Sequence, residues 1–162
     1  MKDAAWVENG AVIILEIAAP LCFSALVLVV CLGIVDRFIL EIGWGWPEEA
    51  ARFLLIWGVF LAAAVCTKKG FHYRVDFFLI TFSAAKVRLS FEIFALAFSM
   101  IITGTFGWTG AILTYSERNQ LSPALGIPMS LVYAALPICA AFMLLFMGIK
   151  LMEITRVRKR GL

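Results

Sequence analysis

The chain is predicted to be an all-α integral membrane protein. Four transmembrane helices are expected, with an interfacial amphipathic helix between spans two and three. Apolar residues make up 63% of its 162 and charged residues 15%, where a soluble domain carries about 25% charged residues. Mean hydropathy is +0.97. The apolar runs are long and continuous, not alternating over about ten residues, so they read as helices and not barrel strands. The chain reads as one membrane domain with spans at about 10–35, 47–67, 89–115 and 129–152. No cleavable signal peptide is expected, because the first apolar run is longer than an h-region and follows Asp3 and Glu8.

Span one, at a helical rise of 1.5 Å per residue, is about 39 Å long and therefore long enough to tilt. It contains Glu16, with Pro20 four residues later. Proline cannot donate to the carbonyl at i−4, so the Glu16 carbonyl loses its helical partner. Two readings stand for this polar spot. Glu16 is either buried against another helix or polar cavity, or close enough to the border to stay hydrated. Asp36, Arg37 and Glu41 then form a short polar connection.

Span two has both borders marked. Trp44 and Trp46 suit the interface, and Pro47 suits a first helical turn. Glu48 and Glu49 follow where the helix dipole favours negative charge, and Lys68 and Lys69 end the span. Arg52 is the unusual residue, about 7 Å past Pro47. An unpaired arginine there costs roughly a few kcal/mol, less near the border, where it can snorkel. Glu48 and Glu49 lie at i−4 and i−3, on its side of the helix. The trio is either a self-satisfied border cluster or a polar contact to another subunit. Gly58 and Ala62, with Ala51 further up, give this helix a small-residue face for a close neighbour.

From residue 71 to about 85 the pattern becomes amphipathic. Phe71, Val75, Phe78, Leu79 and Phe82 share one face while Arg74 and Asp76 fall elsewhere, which suits a helix in the interface plane. His72 and Asp76 are i,i+4 neighbours able to pair; the lone histidine reads as a hydrogen-bonding group, not a metal ligand. Arg88 and Glu92 form a border pair opening span three, where Thr103, Gly107 and Ala111 place small residues on one face. Pro123 and Gly126 make the following loop a turn, and Pro128 suits the first turn of span four. Pro137 should kink that span by freeing the Tyr133 carbonyl. Residues 153–162 form a basic tail.

Charge sets the orientation. Four spans put the N-terminus, the connection at 68–88 and the tail on one side. That side holds ten Lys and Arg residues: Lys2, Lys68, Lys69, Arg74, Lys86, Arg88, Arg156, Arg158, Lys159 and Arg160. The other has Arg37 and Arg118, plus Arg52 near its border. By the positive-inside rule both termini are cytoplasmic. The Trp44–Glu49 cluster and the loop SPALGIP then face outward together.

No catalytic set is present: the chain lacks a nucleophile elbow, a phosphate-cradling glycine loop and zinc spacing. Its four cysteines are scattered singly and read as small lipophilic packing residues. A haem anchor needs axial ligands, usually two histidines per haem, and His72 is alone. The alternative function is a free-standing proton-coupled exporter using Glu16. Against it, such exporters are shorter, lack the segment between spans two and three, and need their carboxylate at mid-membrane.

The runs WPEEAARFLLIW (46–57), KKGFHYRVD (68–76) and SPALGIP (122–128), with Pro137, occur in this order. Together with the four-span, both-termini-in topology, the chain resembles the DctQ-type small membrane subunit of tripartite ATP-independent periplasmic (TRAP) transporters. Phe71 departs from that family, which more often has a small residue before the histidine. The resemblance implies a bacterial inner-membrane importer in which a periplasmic binding protein delivers an organic acid. A large multi-span subunit then carries it with sodium by an elevator-like motion. The small subunit widens the fixed scaffold and offers part of the docking surface without holding substrate. On this resemblance Trp46, Glu48, Glu49 and Arg52 are outward-edge contacts, and Ser122, Pro123 and Pro128 belong to a docking edge. Glu16, His72, Asp76 and Pro137 complete the candidate subunit contacts. The expected partners are the large subunit, the binding protein and membrane lipids, with no nucleic acid and no cofactor.

Overall fold

Continuous apolar sequence with few breakers folds here into long helices. The computed structural model describes the backbone of residues 2–79 and 85–160, and the side chains of 10–69, 91–152, 154 and 155. Helix α1 runs Lys2–Val35 and continues into a π-helical turn, Asp36–Leu40. Helix α2 is Trp46–Leu79, α3 is Ala85–Ser116, α4 is the short Met129–Tyr133 and α5 is Ala135–Arg160. Among the described residues, four stretches are long and apolar enough to cross a membrane: Gly10–Leu40, Trp46–Lys69, Phe91–Asn119 and Met129–Met152. Helix α1 passes through Pro20 without a break.

The segment expected as an interfacial helix is helical through Leu79, but it is continuous with α2 and not a separate element. Residues 80–84 lie outside the described residues, as do the side chains of His72, Asp76 and Arg88, and with them the two pairs expected there. The basic tail likewise extends α5, which stays helical to Arg160.

The helices stand in an open row in the order α1, α2, α5, α3. Helix α1 packs along α2, α2 along α5 and α5 along α3, while no other pair of long helices packs extensively. The neighbours α1 and α2 are antiparallel: Gly33 meets Pro47, Gly58 meets Cys22 and Phe23, and Glu16 meets Lys69. The shared core of Leu15, Ala19, Leu61, Ala64, Cys139 and Phe146 joins α1, α2 and α5. The span formed by α4 and α5 is the most enclosed and α1 the least, as expected for a middle and an edge position.

Two small-residue faces were expected, and the structure uses one of them differently. Gly58 is the close-approach residue of α2, with α1 side chains 3.4–3.5 Å from where a Cβ would stand. On α3 the contact face is Gly107 and Gly110, against Ala140 and Leu136, while Ala111 is exposed. Gly110 is one turn from Gly107 along the side that faces α5; Ala111 is rotated about 100° from it.

Candidate functional site

At the end of the row carrying both long loops, one carboxylate joins distant parts of the chain. Glu49 sits in the first turn of α2, where the dipole favours its charge. Its Oε2 accepts hydrogen bonds from the backbone N–H groups of Ala124, at 2.8 Å, and Leu125, at 2.9 Å. Two donors on one anion make a charge-assisted pair, stronger than neutral bonds of the same length. The loop holds those donors in place. Ser122 N–H donates to the Ile127 carbonyl at 2.9 Å, Gly126 N–H to that of Ser122 at 3.0 Å, and Met129 N–H to that of Gln120 at 2.9 Å. Gly126 has φ +67°, which glycine adopts freely and a side chain resists. Ser122 is buried, and its Oγ accepts from Ile127 N–H at 3.3 Å.

A second carboxylate organises the neighbouring connection. Asp36 is 3% exposed. Its Oδ2 accepts from Trp44 N–H at 2.7 Å and its own carbonyl from Glu41 N–H at 2.7 Å, with Glu41 in the left-handed region at φ 51°. Oδ1 is buried with no hydrogen-bond partner among the described residues. Between this turn and the start of α2 lies an open cleft of about 810 Å³. Its walls are apolar, Val29, Val30 and Ile34 facing Pro47 and Ala51, and its rim carries Asp36, Arg37, Glu41 and Glu48. Asp36 was missed as an organising residue. The available signal was an aspartate at the C-terminal end of a helix, where the dipole disfavours it unless another group compensates.

The trio in span two does not form a self-contained cluster. Glu49 is engaged with the loop, and Arg52 has no salt bridge among the described residues. Arg52 is exposed and shares one stripe of α2 with exposed Glu48, Leu55 and Val59. Trp44 and Trp46 lie with ring centroids 6.2 Å apart, and Gly45 approaches Ala124. Trp46, Glu48, Glu49, Arg52, Ser122, Pro123 and Pro128 are therefore gathered at one end of the bundle. Pro128 occupies the N-cap position of α4, one residue before the turn expected for it.

Pro137 lies in the first turn of α5. Helices α4 and α5 are separated by Ala134 alone, which keeps helical geometry (φ −60°, ψ −21°) and donates its N–H to the Ser130 carbonyl at 2.9 Å. A neighbouring helix supplies a donor there: Trp57 Nε1–H of α2 reaches the Leu131 carbonyl at 3.2 Å, not the Tyr133 carbonyl that Pro137 leaves unpaired. Trp57 was not singled out from sequence.

Glu16 lies at the opposite end. Its Oε1 is 2.8 Å from Lys69 Nζ, beside a 310 Å³ hollow between α1 and α2. Glu16 is therefore level with Lys69, which lies beyond the most apolar part of α2. No group of three or more metal-ligating side chains occurs among the described residues.

These features define an all-α, multi-pass membrane protein whose polar groups organise loops and helix ends, not a reaction centre. Residues 26–157 match the family described as "Tripartite ATP-independent periplasmic transporters, DctQ component". The match takes in most of the chain, which belongs to the DctQ family: a transporter component and not an enzyme. One relative is the C4-dicarboxylate TRAP transporter small permease protein DctQ of Rhodobacter capsulatus. It is 30% identical over 100 residues, covering 60% of this chain and 44% of that protein. Another is the isethionate TRAP transporter permease protein DctMQ of Oleidesulfovibrio alaskensis. It is 34% identical over 103 residues, covering 60% of this chain and 16% of that protein. The chain thus matches less than half the length of either curated relative.

Proposed function

We propose that this chain is the small scaffold subunit of a sodium-coupled TRAP importer. It sits in a bacterial inner membrane with both termini cytoplasmic and braces a large elevator-type permease. Its outer end, with the stapled loop at 122–128, forms part of the edge on which a substrate-loaded periplasmic binding protein docks. The observation that carries this reading is Arg52, a cation on an exposed stripe of a membrane helix that makes no salt bridge among the described residues, not even with Glu48 one turn away. A charge at that depth is costly unless another group answers it. Helix association in lipid depends on close packing and polar contacts, so an ionisable residue on an open face marks a protein neighbour. An open row of helices, with an edge helix covered on one side only, suits one half of a larger wall.

The names of both relatives specify small organic anions, which supports an organic acid as the transported class. A scaffold has no recognition chemistry of its own, so the particular acid is set by its partners. The exporter reading is not favoured: Glu16 is paired with Lys69 and not left free to exchange a proton.

The test is affinity purification from native membranes with Arg52→Glu. Recovery of the large permease should fall several-fold while the small subunit still inserts. Undiminished co-purification and uptake would remove the claim, as would substrate movement across liposomes by the isolated chain.

A further inference from the structure

We propose that the cleft between the end of α1 and the start of α2 seats an arginine or lysine of the large permease subunit; this rests on the scaffold reading above. The cleft is anionic. Asp36, Glu41 and Glu48 line it against one cation, Arg37. Asp36 is 3% exposed and its Oδ1 has no partner among the described residues. A buried carboxylate oxygen without a donor is costly, and a cationic group brought beside it recovers more than a neutral one would.

The position of the cleft selects a membrane-embedded partner. Its wall descends from Asp36 to Val29, a drop of about 10 Å along a helix rising 1.5 Å per residue. A soluble binding protein arriving from outside can meet the charged rim but not the apolar wall of Val29, Val30 and Ile34 below it. A segment reaching the floor must come laterally through the membrane, past the same side of α2 that bears Glu48. The charge balance selects protein over lipid. Every phospholipid headgroup brings a phosphate with whatever ammonium it carries, and three carboxylates against one guanidinium repel that phosphate. A basic side chain brings the cation alone, and its aliphatic stem suits the apolar wall.

A photoreactive amino acid at Ile34, in the cleft wall and 53% exposed, tests this in the intact complex. A second at Phe98, on α3 and 57% exposed, serves as reference. The Ile34 probe should crosslink to the large subunit. Its yield should fall at least fivefold in Glu41→Lys/Glu48→Lys and less in Glu41→Gln/Glu48→Gln, with the Phe98 yield unchanged. Thermal unfolding of each variant checks that the small chain remains folded. Adducts on lipid alone or on the binding protein would overturn the proposal, as would a yield indifferent to charge reversal. If wild-type chain recovers the permease but the cleft does not crosslink to it, this inference fails and the scaffold reading stands. If wild-type chain recovers no permease, both fall.

Discussion

Removing the Glu49 carboxylate should release the loop at 122–128 while leaving the helices in place. The perturbation is Glu49→Ala, which strips the acceptor from two backbone donors, Ala124 N–H and Leu125 N–H. Hydrogen bonds to a charged group are worth about 1.5–3 kcal/mol each. The bond to Ala124 is exposed and the one to Leu125 partly buried, so water replaces much of the first and little of the second. About 2 kcal/mol of local stability is therefore lost, roughly a 30-fold rise in the open fraction of the loop. Native-state amide hydrogen exchange on the protein in nanodiscs reads this directly, since it reports local opening residue by residue. Exchange at Ala124 and Leu125 should accelerate about 30-fold, with α3 and α5 unaffected. Glu49→Gln keeps an acceptor oxygen but not the charge and should give an intermediate rate, whereas Glu48→Gln should change nothing. Protection in Glu49→Ala within twofold of wild type would refute the staple.

Three further substitutions probe the packing. Gly110→Ala places a Cβ 2.5 Å from the Leu136 Cβ, an atom too near the backbone to swing aside. It should cost about 1–3 kcal/mol and lower the melting temperature, whereas Gly104→Ala, with open space around it, should not. Trp57→Phe keeps the ring but removes the donor to the Leu131 carbonyl; about 1 kcal/mol is expected, and an unchanged unfolding midpoint would count against a role for that bond. Asp36→Ala should speed exchange of the Trp44 amide severalfold, while Asp36→Asn, which retains an acceptor without the charge, should give an intermediate rate. Equal rates in the two variants would mean that the backbone alone holds the turn.

Much of the fold was legible because a bilayer enforces simple rules. Apolar length against hydrocarbon thickness gave the four spans, and Pro47 and Pro128 marked where two of the helices begin. The gathering of Glu49 with SPALGIP at one end followed from counting spans. What the sequence did not disclose was that Glu49 bonds the loop and that Arg52 makes no salt bridge among the described residues. Carboxylates at i−4 and i−3 make a helical pair available, but two backbone donors about 75 residues away in sequence took one of them. Asp36 was hidden for the same reason: its partner, Trp44 N–H, is placed by a turn that local pattern does not specify.

The amino-acid sequence by itself determined that this chain lies in a membrane and how many times it can cross. Water–lipid partition acts on each segment separately, so those answers need no knowledge of neighbours. The tertiary structure alone decided that α2 lies beside α5 and not α3, that Gly110 and not Ala111 faces a neighbouring helix, and that Glu16 answers Lys69. Inside lipid, the side chains facing a helix and those facing acyl chains are equally apolar. The choice of neighbour rests on steric fit and a few polar contacts, which hydrophobic periodicity does not encode.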